Sequence, residues 1–149
     1  MKFVTSIGTV HGFSGLHRPG DWPDIVAITR QVSELTAAVG GRHVIFVPVP
    51  GYRDDSTGAF LEPAELDAGQ WQTMIRATDE LGKMVAEEYG LGLQFHPHAD
   101  SHVETQAQTE RFLDETDPRY VNLCLDTGHL AYRHADNVAI INRYPDRIG

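Results

Sequence analysis

The sequence predicts an α/β fold: a partial (β/α)8 barrel of about four βα units, with parallel strands covered by helices. Three observations carry this expectation. Short β-branched or apolar runs alternate with longer segments of helical periodicity. Two of the strand-like runs divide into an apolar face and a polar face. Side chains capable of chemistry gather after the strands rather than before them.

The elements follow in order. KFVTSIGTV (2–10) is short and β-branched, hence a strand. After the loop HGFSGLHRPG, Ile25, Ile28, Val32, Leu35 and Val39 recur at helical spacing, with Asp21 and Pro23 near the start and Gly40–Gly41 at the end. HVIFVPVP (43–50) is a second strand, followed by the polar loop GYRDDSTGAFLEPAELDAG. A longer helix runs roughly over 70–89, its inner stripe formed by Trp71, Met74, Ile75, Thr78, Leu81 and Val85, and Gly90 stops it. LGLQFHPH (91–98) is a third strand. In TQAQTERFLDE, Thr105 and Gln108 have the spacing of a capping box. YVNLCLD is a fourth strand, and Asp136 is expected to cap a last helix containing Val138, Ile141 and Tyr144.

Strand parity separates two architectures. Both faces of a central strand in an open, doubly wound sheet meet helices and are apolar. Here Val121, Leu123 and Leu125 alternate with Asn122, Cys124 and Asp126, and Leu93 and Phe95 alternate with Gln94, His96 and His98. A polar stripe turned inward and an apolar stripe turned toward helices fit a barrel with an interior site. A full barrel needs eight strands and typically about 250 residues. The chain has 149 residues and reaches INRYPDRIG where another strand is due, so the expectation is one domain over 1–149 that is half of a larger barrel. An open four-stranded sheet is the alternative.

Composition narrows the function classes. Apolar residues make up 41% and charged residues 22%, a globular balance. A formal charge of −9 argues against nucleic acid or an anionic membrane as the partner, since both require a basic footprint. The single cysteine, Cys124, excludes an intramolecular disulfide framework and suits a reducing compartment, so a cytoplasmic location is expected. There is no dinucleotide fingerprint, phosphate loop, nucleophile elbow or paired CxxC.

The candidate site residues follow the strands. They are His11 after the first, Tyr52 and Arg53 after the second, His96 and His98 after the third, and Asp126 and His129 after the fourth. Ends of parallel strands are where such folds place ligands. Asp126 ends an apolar run, where a divalent cation would compensate its charge; the plainer reading is a helix N-cap. Gly128 allows a turn that faces His129 back over the strand end. In His96-Pro97-His98 the two imidazoles share one face of an extended chain and could bind a metal, move protons or contact substrate. His102 and Glu104 have ligand and helix-start readings of equal weight. His17, His43 and His134 read as surface or packing residues, and Cys124 as a small core residue.

The segments HPHADSHVET, ETDPRYVNLCLDTGHLAY and NVAIINRYPDRI together resemble the xylose isomerase-like TIM-barrel superfamily, nearest its inosose dehydratase and sugar phosphate isomerase/epimerase branch. The resemblance is most specific over 91–148. It implies a divalent metal (Mn, Co, Mg or Zn) at the strand ends, with Asp126 as ligand and Glu104 as the match to a family carboxylate. His96 and His129 are then the acid–base candidates, and His98 and Arg53 the substrate contacts. Family members continue with a further histidine ligand and a further glutamate. The expected activity is isomerisation or epimerisation of a small sugar or keto-polyol by proton abstraction next to a carbonyl. Inosose dehydration through the same intermediate is the runner-up. A non-catalytic association module is a third reading, with a homo-oligomer or a complementary half-barrel as the partner, because a half-barrel exposes sheet edges. Metal-dependent cleavage of nucleic acid is a further rival that the acidic balance opposes.

Overall fold

A computed structural model of the chain describes residues 8–10, 15–48, 51–54 and 56–149; His11 and residues 2–7 of the first expected strand lie outside them. Four parallel strands, β1 (Gly8–Val10), β2 (His43–Phe46), β3 (Gly92–Phe95) and β4 (Val121–Leu123), pair in the order β1-β2-β3-β4. A doubly wound sheet reverses its strand order at a switch point. No reversal occurs here, so each βα unit simply adds the next stave of a barrel. Among the described residues five helices accompany the strands: α1 (Trp22–Ala38), α2 (Ala68–Tyr89), α3 (Gln106–Glu115), α4 (Thr127–Tyr132) and α5 (Asn137–Arg143). α1 packs on β1 and β2, and α2 packs on β3, β4 and α1. Beyond a short 3-10 turn at Pro145–Arg147, Ile148 pairs in parallel with Leu123 on the free side of β4. Buried Arg147 fixes that return by donating to the carbonyls of Val121 and Leu113 and to the Thr116 hydroxyl.

The strands are shorter than their apolar runs. β2 stops before Pro48 and β3 before Pro97, because proline has no N–H to give the neighbouring strand. The apolar parity holds: Val44, Leu93, Phe95, Val121 and Leu123 are fully buried, and Phe46 almost so. Phe95 lies at the centre of this core, its ring centroid 4.1 Å from Phe112 and 6.2 Å from Phe46. On the opposite face Gln94 is buried and bonds the His43 ring at 3.0 Å.

α2 has the stripe its periodicity predicts, with Trp71, Met74, Ile75, Thr78, Leu81 and Val85 all buried. Gly90 ends it in a left-handed conformation (φ 67°) that disfavours a side chain. At the other end the Asp67 carboxylate accepts from the Gln70 amide while the Gln70 side chain accepts from the Asp67 amide. Replacing Asp67 with alanine is expected to cost about 1 kcal/mol, read as a lower midpoint in urea unfolding. The Thr105–Gln108 capping box of α3 forms in the same reciprocal way.

Two helical faces differ from expectation. In α1, Ile25 is buried and Ile28 and Val32 pack half-buried against the core, as the spacing predicts, but Thr29, Ser33 and Thr36 are also buried, while Leu35 is 68% and Val39 62% exposed. The three hydroxyl side chains lie on the buried face of the helix, and the Thr36 hydroxyl donates to the Val32 carbonyl. In α5, Ile140 is buried and Val138 and Ile141 face outward. The six-residue helix α4 follows from the N-cap reading of Asp126 and belongs to the site.

Candidate metal and substrate site

The ends of β3 and β4 carry a close group of donors. His96 follows β3 directly, and its amide bonds the Phe46 carbonyl, which fixes where its side chain leaves the sheet. His98 lies two residues on, its Nδ1 2.8 Å from the Ala99 carbonyl. Since a carbonyl only accepts, that nitrogen carries a hydrogen, and Nε2 is the ring atom not engaged by this contact. Asp126 follows β4 and begins α4: its Oδ1 accepts from the amides of Gly128 (2.8 Å) and His129 (2.9 Å). The cap and ligand readings of this aspartate are therefore compatible. One oxygen starts the helix, and the other, Oδ2, lies 3.4 Å from His96 Nε2 and 4.0 Å from His129 Nε2.

One donor atom each from His96, Asp126 and His129 lie within 4.8 Å of one another. The His98 ring stacks obliquely on His129 with centroids 3.9 Å apart, and His96 is 5.4 Å from His129. Burial holds the His96 imidazole below its ordinary pKa despite the nearby Asp126 charge, and burial together with His98 lowers His129. Burial alone would raise Asp126, but the His129 and Gly128 amides and the two imidazoles outweigh it and keep the carboxyl below its usual range. The group thus presents neutral imidazoles and an ionised carboxylate. His96 Nε2 is buried without a hydrogen-bond partner. Nitrogen lone pairs beside a carboxylate oxygen, one of them unsatisfied, fit a divalent transition metal. Burial, reinforced by the Asp126 charge, raises the Cys124 thiol, which makes it a poor nucleophile.

Glu104 and Arg53 sit in a neighbouring group. Gly51 lets the β2–α2 loop approach closely, since a Cβ there would lie 1.8 Å from the Asp100 carbonyl. The Tyr52 amide bonds that carbonyl at 2.9 Å, and the Tyr52 hydroxyl donates to Glu104 Oε1 at 2.8 Å. Glu104 also accepts from the Asp100 amide and pairs with Arg133 at 3.1 Å. Expected beside Asp126 as a ligand, Glu104 instead spends its oxygens on these contacts and is not in the His96–Asp126–His129 group. Arg53 lies over the Phe60 ring at 4.0 Å, its Nε 3.3 Å from Asp100. Together with Phe60, Thr105 and Gln108 these side chains line a cavity of about 290 Å³.

Burial, reinforced by hydrogen bonds to Glu104 and Asp114, raises Tyr52 and Tyr144 respectively from 10.0 to about 12. A folded pKa above the unfolded one stabilises the protein below pH 10 and is lost as pH rises from 10 to 12. In a tyrosinate absorbance titration, Tyr144→Phe is expected to remove one proton from the step near pH 12.

A second group was missed by the sequence reading. His17 and His102 are both buried and flank Glu62, 3.3 Å and 3.0 Å away. Their sequence separations of 45 and 40 leave no local pattern that links them.

Comparison with known proteins agrees with this architecture. The family model for the xylose isomerase-like TIM barrel matches residues 4–149. An inosose dehydratase of Bacillus velezensis is 37% identical over 118 residues, covering 78% of this chain and 35% of that protein. The solved structure of the IolI protein with a bound zinc atom superimposes with a TM-score of 0.71 at 16% identity, covering 95% of this chain and 47% of its own. The Escherichia coli 3-keto-D-glucoside 4-epimerase YcjR gives a TM-score of 0.73 at 16% identity, over 97% and 56%. At such identities the two structures speak for the fold alone. The chain spans about a third of the length of its curated relative and about half of these solved chains. Consecutive parallel βα units, donors collected at the strand ends and a family match over nearly the whole sequence lead to one conclusion: the chain belongs to the xylose isomerase-like TIM barrel family.

Proposed function

We propose that residues 1–149 form one barrel-derived domain that provides the Asp126 side of a divalent-metal site in an enzyme acting on a small keto-polyol or keto-cyclitol. Loss of water next to the carbonyl is the favoured outcome. The convergence of His96, His129 and Asp126 at the ends of β3 and β4 carries this reading. The sequence likeness to an inosose dehydratase directs it toward dehydration. Epimerisation, which begins with the same proton abstraction, is the second reading.

Asp126 Oδ2 and His96 Nε2 are the donors that would hold the cation, which supplies Lewis acidity toward a carbonyl and its neighbouring hydroxyl. The two amide bonds to Oδ1 keep Oδ2 aimed at the site. His129, neutral and beside this carboxylate, takes the proton from the carbon adjacent to the carbonyl. Giving that proton to a departing β-hydroxyl releases water; a proton delivered by a second acid to the opposite face of the carbon epimerises the substrate instead. His98 contacts a substrate hydroxyl through Nε2, its ring fixed by the Ala99 carbonyl. Glu104 acts at one remove, through Arg133 at the end of α4.

The test is titration of the purified, metal-stripped protein with manganese, cobalt, magnesium and zinc, followed by incubation with an inosose. Binding of one of these ions together with growth of conjugated-carbonyl absorbance supports the reading. Epimer products would select the second reading, and failure of all four ions to bind sinks both.

A further inference from the structure

We propose that His17, Glu62 and His102 form a second cation site, suited to zinc, that pins three successive βα loops together. His17 lies between β1 and α1, Glu62 between β2 and α2, and His102 between β3 and α3. The group shares no residue with the one at Asp126. His17 Nε2 is 3.3 Å from Glu62 Oε2, and His102 Nε2 is 3.0 Å from Glu62 Oε1. A donor atom from each of the three residues lies within 4.8 Å of the others. The histidines are 4% and 5% exposed, so solvent does not satisfy their ring nitrogens.

The tautomer of His102 carries the argument. Its Nδ1 lies 3.0 Å from the Ala64 carbonyl, which can only accept, so the ring hydrogen resides there. In a neutral ring Nε2 then points a lone pair at a carboxylate oxygen 3.0 Å away. Two acceptors at that distance require a positive charge between them. A metal-bound histidine characteristically donates its other ring N–H to a backbone carbonyl, as His102 does. Two imidazole nitrogens and one carboxylate, with a fourth position open, form a common zinc ligand set. The Arg18 guanidinium lies 2.7 Å from Glu62 Oε2 and occupies one lone pair of that oxygen, which leaves Oε1 to face the cation. The edge-to-face contact between the His17 and His102 rings, 4.7 Å apart and nearly perpendicular, keeps both imidazoles beside the same carboxylate.

Zinc stoichiometry of the metal-stripped protein, read by competition with a chromophoric chelator, tests this. Asp126→Asn is expected to retain one tightly bound zinc whose X-ray absorption spectrum reports two imidazoles and oxygen. Glu62→Gln, which keeps the size of the side chain and can still bond both rings, is expected to bind one equivalent fewer than the parent, and His102→Gln likewise. Far-UV circular dichroism checks that each variant folds, and the Asp126→Asn arm decides the matter if either of the others does not. The proposal falls if Asp126→Asn binds no zinc. It falls equally if Glu62→Gln and His102→Gln keep the parent's stoichiometry. Should the Asp126 site itself fail to bind metal, the parent binds one zinc and loses it in Glu62→Gln, so the two proposals are told apart.

Discussion

Replacing Asp126 with asparagine is expected to lower metal affinity at the β3–β4 rim by more than about 100-fold, beyond the loss that follows from disturbing only an outer contact of a metal site. It is expected to leave folding stability nearly unchanged. The asymmetry arises because the two oxygens have different tasks. Oδ1 caps α4 through the Gly128 and His129 amides, and asparagine caps as well as aspartate does. Oδ2 faces His96 and His129, where an uncharged amide is a far weaker donor to a cation. Asp126→Ala removes both functions and is expected to cost about a further 1 kcal/mol of stability. Calorimetric metal titration alongside urea unfolding of the two variants separates these effects. Equal metal affinity in Asp126→Asn and the parent would remove Asp126 from the ligand set.

The largest effect on stability is expected from Phe95→Ala, about 3–5 kcal/mol. Phe95 is fully buried between Phe46 and Phe112, and truncation opens a cavity that the backbone of β3, held by β2 and β4, cannot collapse to fill. Such a loss is a large share of the roughly 5–15 kcal/mol that holds a domain together. Leu35→Ala provides the contrast: it lies on α1 at 68% exposure and is expected to change stability by no more than about 0.5 kcal/mol. Denaturant unfolding of both variants decides whether α1 buries the Thr29–Ser33 line. A Leu35 effect comparable to that of Phe95 would reverse the assigned face.

Local patterns in the chain determined a good deal. Alternation of strand-like and helical segments, the Thr105–Gln108 cap, the α2 stripe and the Gly90 stop all rest on neighbours within about one helical turn, where backbone geometry alone sets the relation. The parity of Leu93 and Phe95 against Gln94 and His96 belongs to the same class, since successive residues of a strand point to opposite faces. That is how the sequence placed His96, His98, Asp126 and His129 at one rim: each leaves the sheet just beyond a strand whose register with its neighbour follows from the apolar face. Relations between distant segments were decided only by the tertiary structure. The α1 and α5 faces depend on which line of side chains packs inward. Glu104 turned to Tyr52 and Arg133 because the β2–α2 loop folds over it at Gly51. His17, Glu62 and His102 meet only when three loops close together. No spacing along the chain encodes such meetings, because they are fixed by packing between elements rather than by the geometry within one.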